Sequence, residues 1–88
     1  MNYCRQDVII NTEIKDDKMI IEKCTPIWDF ANKHGACFNL GRDIQGKLMA
    51  TYDIEGITSA YCKGVVAEIK QMLKDIFKCK IDTTFYAY

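Results

Sequence analysis

The strongest constraint on this chain lies between residues 58 and 78, where Cys62, Val65, Val66, Ile69, Met72, Leu73, Ile76 and Phe77 recur three and four residues apart. That period draws one apolar stripe along an α-helix, and such a stripe has to be buried against another element. Thr58 or Ser59 offers the capping oxygen at its start, after Gly56 has broken the preceding pattern. A helix of this length rises about 1.5 Å per residue and spans roughly 30 Å, the width of a small domain. It therefore acts as a spine, and the rest of the chain has to supply the sheet that it covers.

Alternation supplies that sheet. Val8, Ile10, Thr12 and Ile14 interleave with Ile9, Asn11 and Glu13, the period of a strand rich in β-branched residues. Lys15-Asp16-Asp17-Lys18 reads as a polar turn and Met19–Cys24 as a returning apolar strand, which predicts a β-hairpin over residues 7–24. Thr25-Pro26 predicts the start of a short helix carrying Ile27, Trp28, Phe30 and Ala31, with Gly35 as its left-handed stop. Ala36 to Gly41 and the alternating Leu48, Ala50, Tyr52 and Ile54 predict a second hairpin about Asp43-Ile44-Gln45-Gly46. Ile81, Thr83, Phe85 and Ala87 predict a last strand after the long helix. The expected order is ββαββαβ, an α+β fold with a mainly antiparallel sheet and two helices packed on one face.

Composition makes residues 1–88 one small globular domain. With 49% hydrophobic residues and zero formal charge, the chain has neither property that keeps a polypeptide disordered. So short a chain buries only about 60 to 65% of its unfolded surface, so a dimer interface or a metal would add useful stability. No stretch of about 18 apolar residues occurs, and the start lacks a signal-peptide pattern, so a cytoplasmic protein without membrane contact is expected. The five cysteines, Cys4, Cys24, Cys37, Cys62 and Cys79, are odd in number and form no C-x-x-C pair. They are expected to be reduced thiols rather than a disulfide framework.

Chemistry is sparse. His34 is the single histidine and Ser59 the single serine, and the latter falls at a helix start, so no nucleophile arrangement is present and no enzymatic activity is expected. A Cys37–His34 dyad is the residual catalytic alternative. Cys24, His34 and Cys37, with Cys4 or Cys79, form an alternative metal-ligand set of soft donors, although their spacing matches no zinc finger or ribbon. No cofactor is expected, because the glycines make neither a P-loop nor a dinucleotide turn. Lys63, Lys70, Lys74 and Lys78 align along one flank of the long helix and offer a weak nucleic-acid surface. That flank has no arginine and the sequence pI is near 6.5, so a solvated helix side explains it better.

Two surfaces remain. Ala60, Gly64 and Ala67 lie opposite the apolar stripe, where charged residues are usual, and leave room for close approach by another chain. The last strand, with Tyr86 and Tyr88, would offer an unpaired edge with aromatic contact area, unless it lies inside the sheet. These features predict a non-catalytic protein–protein interaction module, an adaptor or inhibitor that binds a protein partner and forms a homo-oligomer. A small Cys/His metal- or ligand-binding protein and a nucleic-acid binder are the alternatives. The runs Thr51-Tyr52-Asp53-Ile54-Glu55-Gly56-Ile57, Lys63-Gly64-Val65-Val66 and Lys80-Ile81-Asp82 resemble the strand, glycine-bearing helix and strand that end haem nitric-oxide-binding and TRAPP-like domains. The resemblance covers the C-terminal third and implies an assembly or ligand-sensing module; it transfers no haem ligand to His34.

Overall fold

The computed structural model describes residues 2–87, and side chains as far as Phe85. The elements are β1 (Asn2–Ile10), α1 (Asp17–His34), β2 (Cys37–Arg42), β3 (Leu48–Gly56), α2 (Ser59–Phe77) and β4 (Ile81–Ala87). The four strands make one sheet in the order β2-β3-β1-β4, every neighbouring pair antiparallel. Both helices pack on the same side of it. The α+β architecture expected from the pattern is therefore present, with one strand fewer than the sequence suggested.

The missing strand is Met19–Cys24, which forms the first third of α1. Asp16 caps this helix, its carboxylate accepting from the backbone N–H groups of Lys18 and Met19 at 3.0 and 3.4 Å. Ile20, Cys24, Ile27 and Ala31 are the buried residues, spaced four, three and four apart. That helical period runs straight through Pro26, which lies inside the helix rather than at its start. An interior proline removes one helical hydrogen bond and costs about 3 kcal/mol. Burial of Cys24 and Ile27 on either side of Pro26, both inaccessible to solvent, offsets this. Pro26 itself points to solvent.

β1 also begins earlier than the alternation suggested, at Asn2, and ends at Ile10, so that residues 11–16 form a connection. Cys4, Gln6, Val8 and Ile10 face the helices. Across from them in register stand Ile54, Tyr52, Ala50 and Leu48 of β3. The α2 stripe covers this layer: Cys62, Val65, Val66, Ile69, Leu73 and Phe77 are buried, with Met72 and Ile76 packed at its margin. Tyr52 is the largest fully buried side chain, and its hydroxyl donates to Gln6 Oε1 at 2.5 Å. Burial pushes its phenol above the ordinary range.

The two helices end differently. Gly35 stops α1 with φ 71°, and its backbone N–H reaches back to Ala31 and Asn32. Lys78 does the same for α2 at φ 50°, donating to the Lys74 carbonyl at 2.8 Å, although a side chain disfavours this left-handed backbone. Two outcomes in urea denaturation check this packing and capping. Ile69→Ala, at a residue with no solvent exposure, is expected to lower stability by about 2 to 5 kcal/mol. Lys78→Gly is expected to raise it by about 0.5 to 1 kcal/mol by relieving the left-handed strain.

Candidate functional site

A four-stranded open sheet has two edges, and here they differ. β2 is six residues long, includes Gly41, and lies beside α1. Arg42 ties its end down: the guanidinium donates to Asp17 Oδ1 at 2.7 and 3.3 Å and to the Gly46 carbonyl at 2.9 Å. A groove of about 300 Å³ remains between this edge and α1, lined by Ile20, Ile21, Leu40 and Leu48 with the Asp17–Arg42 pair among its walls.

β4 forms the other edge. Its ladder with β1 runs one to one from Ile10↔Ile81 to Cys4↔Ala87. Its seven residues contain no proline and one charge, Asp82, which pairs with Lys80 at 3.7 Å and accepts from the Asn11 amide at 3.2 Å. The register puts Ile81, Thr83 and Phe85 on the helix side, opposite Ile10, Val8 and Gln6. That side is thinly roofed, because α2 packs over β1 and β3 and α1 over α2 and β2. Ile81 is half-buried, the Thr83 hydroxyl is buried without a hydrogen-bond partner among the described residues, and Phe85 is 44% exposed. Of the two placements the sequence left open for the last strand, the edge is the one observed. Tyr86 lies opposite Arg5 in the ladder; its side chain and the whole of Tyr88 fall outside the described residues. Phe85 was not singled out from the sequence, although its place in the alternation marked it as an apolar residue on the helix side of the strand.

The face of the sheet away from the helices carries Tyr3, Arg5, Asp7 and Ile9 of β1 beside Met49, Thr51, Asp53 and Glu55 of β3. Arg5 donates twice to the Asp7 carboxylate, at 2.9 and 2.8 Å, and the Tyr3 hydroxyl donates to Asp53 at 2.7 Å. The Arg5 hydrogen bonds, followed by one from Thr51, hold the Asp7 carboxyl below its ordinary range despite partial burial. Among the described strand residues on this face, Arg5 is the one cation, set against Asp7, Asp53, Glu55 and Asp82. An acidic sheet face repels a phosphate backbone.

The sequence-derived candidates separate. Ala60, Gly64 and Ala67 are exposed on α2, and a Cβ built on Gly64 would meet nothing within 4 Å. Lys63 and Lys74 are exposed and Lys70 is half-buried. Lys78 leaves the helical flank, because it is the left-handed cap. The set Cys24, His34 and Cys37 is not assembled. Cys24 lies in the core beneath α1, whereas Cys37 is exposed on the far side of the sheet, since Phe38 takes the core side of β2. His34 packs on Phe30 with centroids 4.5 Å apart, and its Nδ1 lies 3.0 Å from the Tyr61 hydroxyl. Among the described residues no group of three or more His, Cys, Asp or Glu side chains could hold a metal ion. The Cys37–His34 dyad is not assembled either, because the imidazole is engaged by Phe30 and Tyr61 between the helices while Cys37 is exposed on the far side of the sheet. No helix among the described residues is long and apolar enough to cross a membrane.

With this geometry in hand, likeness to known proteins rests on the fold alone. No family model and no curated protein matches the chain. The haem nitric-oxide-binding and TRAPP-like resemblance is therefore not carried further. Among solved structures, the de novo designed protein Foldit4 superimposes with a TM-score of 0.68 at 10% identity, covering 100% of this chain and 97% of the design. A dimeric ferredoxin-like protein from an uncultured marine organism gives 0.55 at 10% identity, over 99% of this chain and 92% of that one. A domain of unknown function, DUF77, from Bacillus cereus gives 0.54 at 14%, over 100% and 75%. The chain thus has a ferredoxin-like fold, a frame on which many unrelated functions are built.

The lowered Asp7 carboxyl makes stability depend on pH in a defined direction. A depressed carboxylate stabilises the fold above its unfolded pKa, and the contribution is lost as pH falls through the folded value. The difference in Tm between the wild type and Asp7→Asn is expected to be largest near neutrality and to close below about pH 4. Thermal unfolding followed by circular dichroism across pH 2 to 7 checks this, and a constant difference would show that the Arg5–Asp7 pair contributes nothing ionic.

Proposed function

We propose that this chain is a non-catalytic protein-interaction module that self-associates through β4, two copies pairing their edges antiparallel about a two-fold axis. The observation that supports this reading most is the edge itself: seven residues in an unbroken ladder, no proline, one partnered charge, and a half-exposed Phe85 beside a thinly covered margin. Protein chains usually blunt such an edge with charge, proline, a bulge or a covering element. Threonine, phenylalanine and tyrosine at 83–86 instead favour extended pairing. Antiparallel pairing of identical strands is self-complementary, so the assembly closes as a dimer and does not propagate.

Area sets a further condition. A standard interface removes about 800 Å² from each partner, roughly a seventh of this chain's 5445 Å². Backbone pairing along one strand does not reach that figure, so the half-exposed Phe85 is assigned as a side chain that adds to it. The adaptor or inhibitor role is the cellular reading of this surface, in which the dimer contact or an exchanged partner strand controls another protein. The dimeric state recorded for one ferredoxin-like neighbour is a property of that protein, and at 10% identity it adds only that the fold accommodates dimers.

Size-exclusion chromatography with light scattering tests the proposal. The wild type is expected to run as a dimer at micromolar concentration, Thr84→Lys/Phe85→Lys as a folded monomer, and Gly64→Leu as a dimer. A monomeric wild type, or a dimer that survives the folded double lysine variant, overturns it. Loss of the dimer in Gly64→Leu alone would move the interface to the Ala60, Gly64 and Ala67 face.

A further inference from the structure

The connection after β1 and the turn between β2 and β3 enclose a second cavity, of about 260 Å³. Lys15, Arg42 and Lys47 stand in its wall with the polar side chains of Asn11, Thr12 and Gln45. Among the described residues, no aspartate or glutamate lines it. The acid of the turn, Asp43, is engaged by its own backbone: the carboxylate accepts from the N–H groups of Gln45 and Lys47, both at 2.9 Å. Neither Lys15 nor Lys47 forms an ion pair among the described residues. Arg42 and Leu48 belong to this cavity and also to the apolar groove beside α1, so the two compartments meet along a shared wall. The Arg42 guanidinium is held there by its bonds to Asp17 and Gly46, which use three of its five N–H groups and leave two. On the groove side Ile20, Ile21 and Leu40 supply apolar surface, and Ile21 is 53% exposed.

We infer that these joined compartments bind a free single-chain phosphomonoester, its phosphate in the cationic cavity and its aliphatic chain along the apolar groove. Charge argues for the head. The lining residues of the two compartments include three cations and one carboxylate, Asp17, a formal balance of +2. A phosphomonoester carries about −1.5 to −2 at neutral pH and matches it. Arg42 presents a planar donor fork and the two lysines present mobile point charges, a combination suited to phosphate oxygens. Size argues for the tail. Each compartment alone stands at or below the lower limit of small-molecule sites, about 300 Å³, whereas the two together fall within their range. Inorganic phosphate would fill the polar lobe and leave Ile21 in water, and an uncharged amphiphile would leave the lysines without a counter-charge. A lipid held in a bilayer fits less well, because its chain stays below the headgroup plane, whereas here the chain lies beside its head against the protein. The groove follows the β2 edge, the one opposite β4, and the inference does not rest on the association proposed above.

Isothermal titration calorimetry with octyl phosphate, kept below its aggregation concentration, tests this on the wild-type chain. One site per chain is expected, with affinity about tenfold or more above that of inorganic phosphate and of octyl glucoside, an uncharged probe. From butyl to octyl phosphate, affinity should rise roughly two- to fourfold per methylene as apolar surface leaves water. Two folded variants should each weaken octyl phosphate by about tenfold or more: Lys15→Gln/Lys47→Gln, which removes the mobile charges, and Ile21→Asn, on the exposed groove wall. Lys33→Gln/Lys63→Gln removes the same charge near the end of α1 and the start of α2, away from the cavity, and should bind as the wild type does. Amide chemical-shift changes on titrating the wild type should concentrate in residues 10–21 and 40–48, and they decide the matter should a variant fail to fold. The inference falls if octyl phosphate does not saturate one site, if inorganic phosphate or octyl glucoside binds as tightly, or if the shifts lie elsewhere. Equal weakening by the two lysine pairs would reduce the effect to overall charge and overturn it. Sedimentation with phosphatidate vesicles that excess octyl phosphate does not reverse would move the site to a bilayer surface and overturn it as well.

Discussion

A fully buried side-chain hydrogen bond sits inside the apolar layer, and the pairing of β1 with β3 depends on it. The Tyr52 hydroxyl is shut off from water and has Gln6 as its acceptor, directly across the β3–β1 ladder. A buried hydroxyl without a partner costs roughly 1 to 3 kcal/mol. Side chains alternate between faces, so a slip of one residue in either strand would turn its whole buried set to the wrong side and separate this pair. Apolar packing alone tolerates small shifts, whereas the hydrogen bond does not. β1 is thereby registered against β3, and it carries β4 on its other edge. Trp28 gives the β2 edge of the sheet a comparable anchor, donating from its ring nitrogen to the Phe38 carbonyl at 2.9 Å and packing edge-on against the Phe38 ring.

Legibility in the sequence followed the clarity of the period. α2, β3 and β4 combine sustained periodicity with a clear capping or breaking residue, and their boundaries are read within a residue or two. The first helix was obscured by two local signals. Met19-Ile20-Ile21 looks like a strand, and Thr25-Pro26 looks like a helix start. The governing signal was the wider spacing of Ile20, Cys24, Ile27 and Ala31, which becomes visible only if a proline is accepted inside a helix. At β1 the polar Gln6 concealed the period, because nothing local reveals that a tyrosine 46 residues away supplies its partner.

The candidate surfaces were legible to a different degree. Alternation marks which residues of β4 share a face, but edge position is a property of strand order, and strand order arises from how the helices cross over the sheet. The same limit applies to the cysteines. Cys24, His34 and Cys37 are close in the chain and end in three environments, while Cys62 is remote in sequence from Asn2 and its sulfur donates to the Asn2 carbonyl at 3.5 Å. The zero formal charge also conceals a separation: acids gather on the open sheet face, and Lys63 and Lys74 project from the helical layer on the opposite side. The molecule is therefore a weak electric dipole across its thickness, and uniform binding of a polyanion by either side is not implied.

Strand order has a further consequence during synthesis. β1 is made first, yet its two neighbours, β3 and β4, begin almost forty and about seventy residues later. At translation rates of about 5 to 20 residues per second, the first strand waits several seconds for its last partner. For that interval its Val8-Ile9-Ile10 segment has a bare side, open to pairing with any extended chain nearby. A nascent chain of this topology keeps one side of β1 unpaired until its β4 segment has been made.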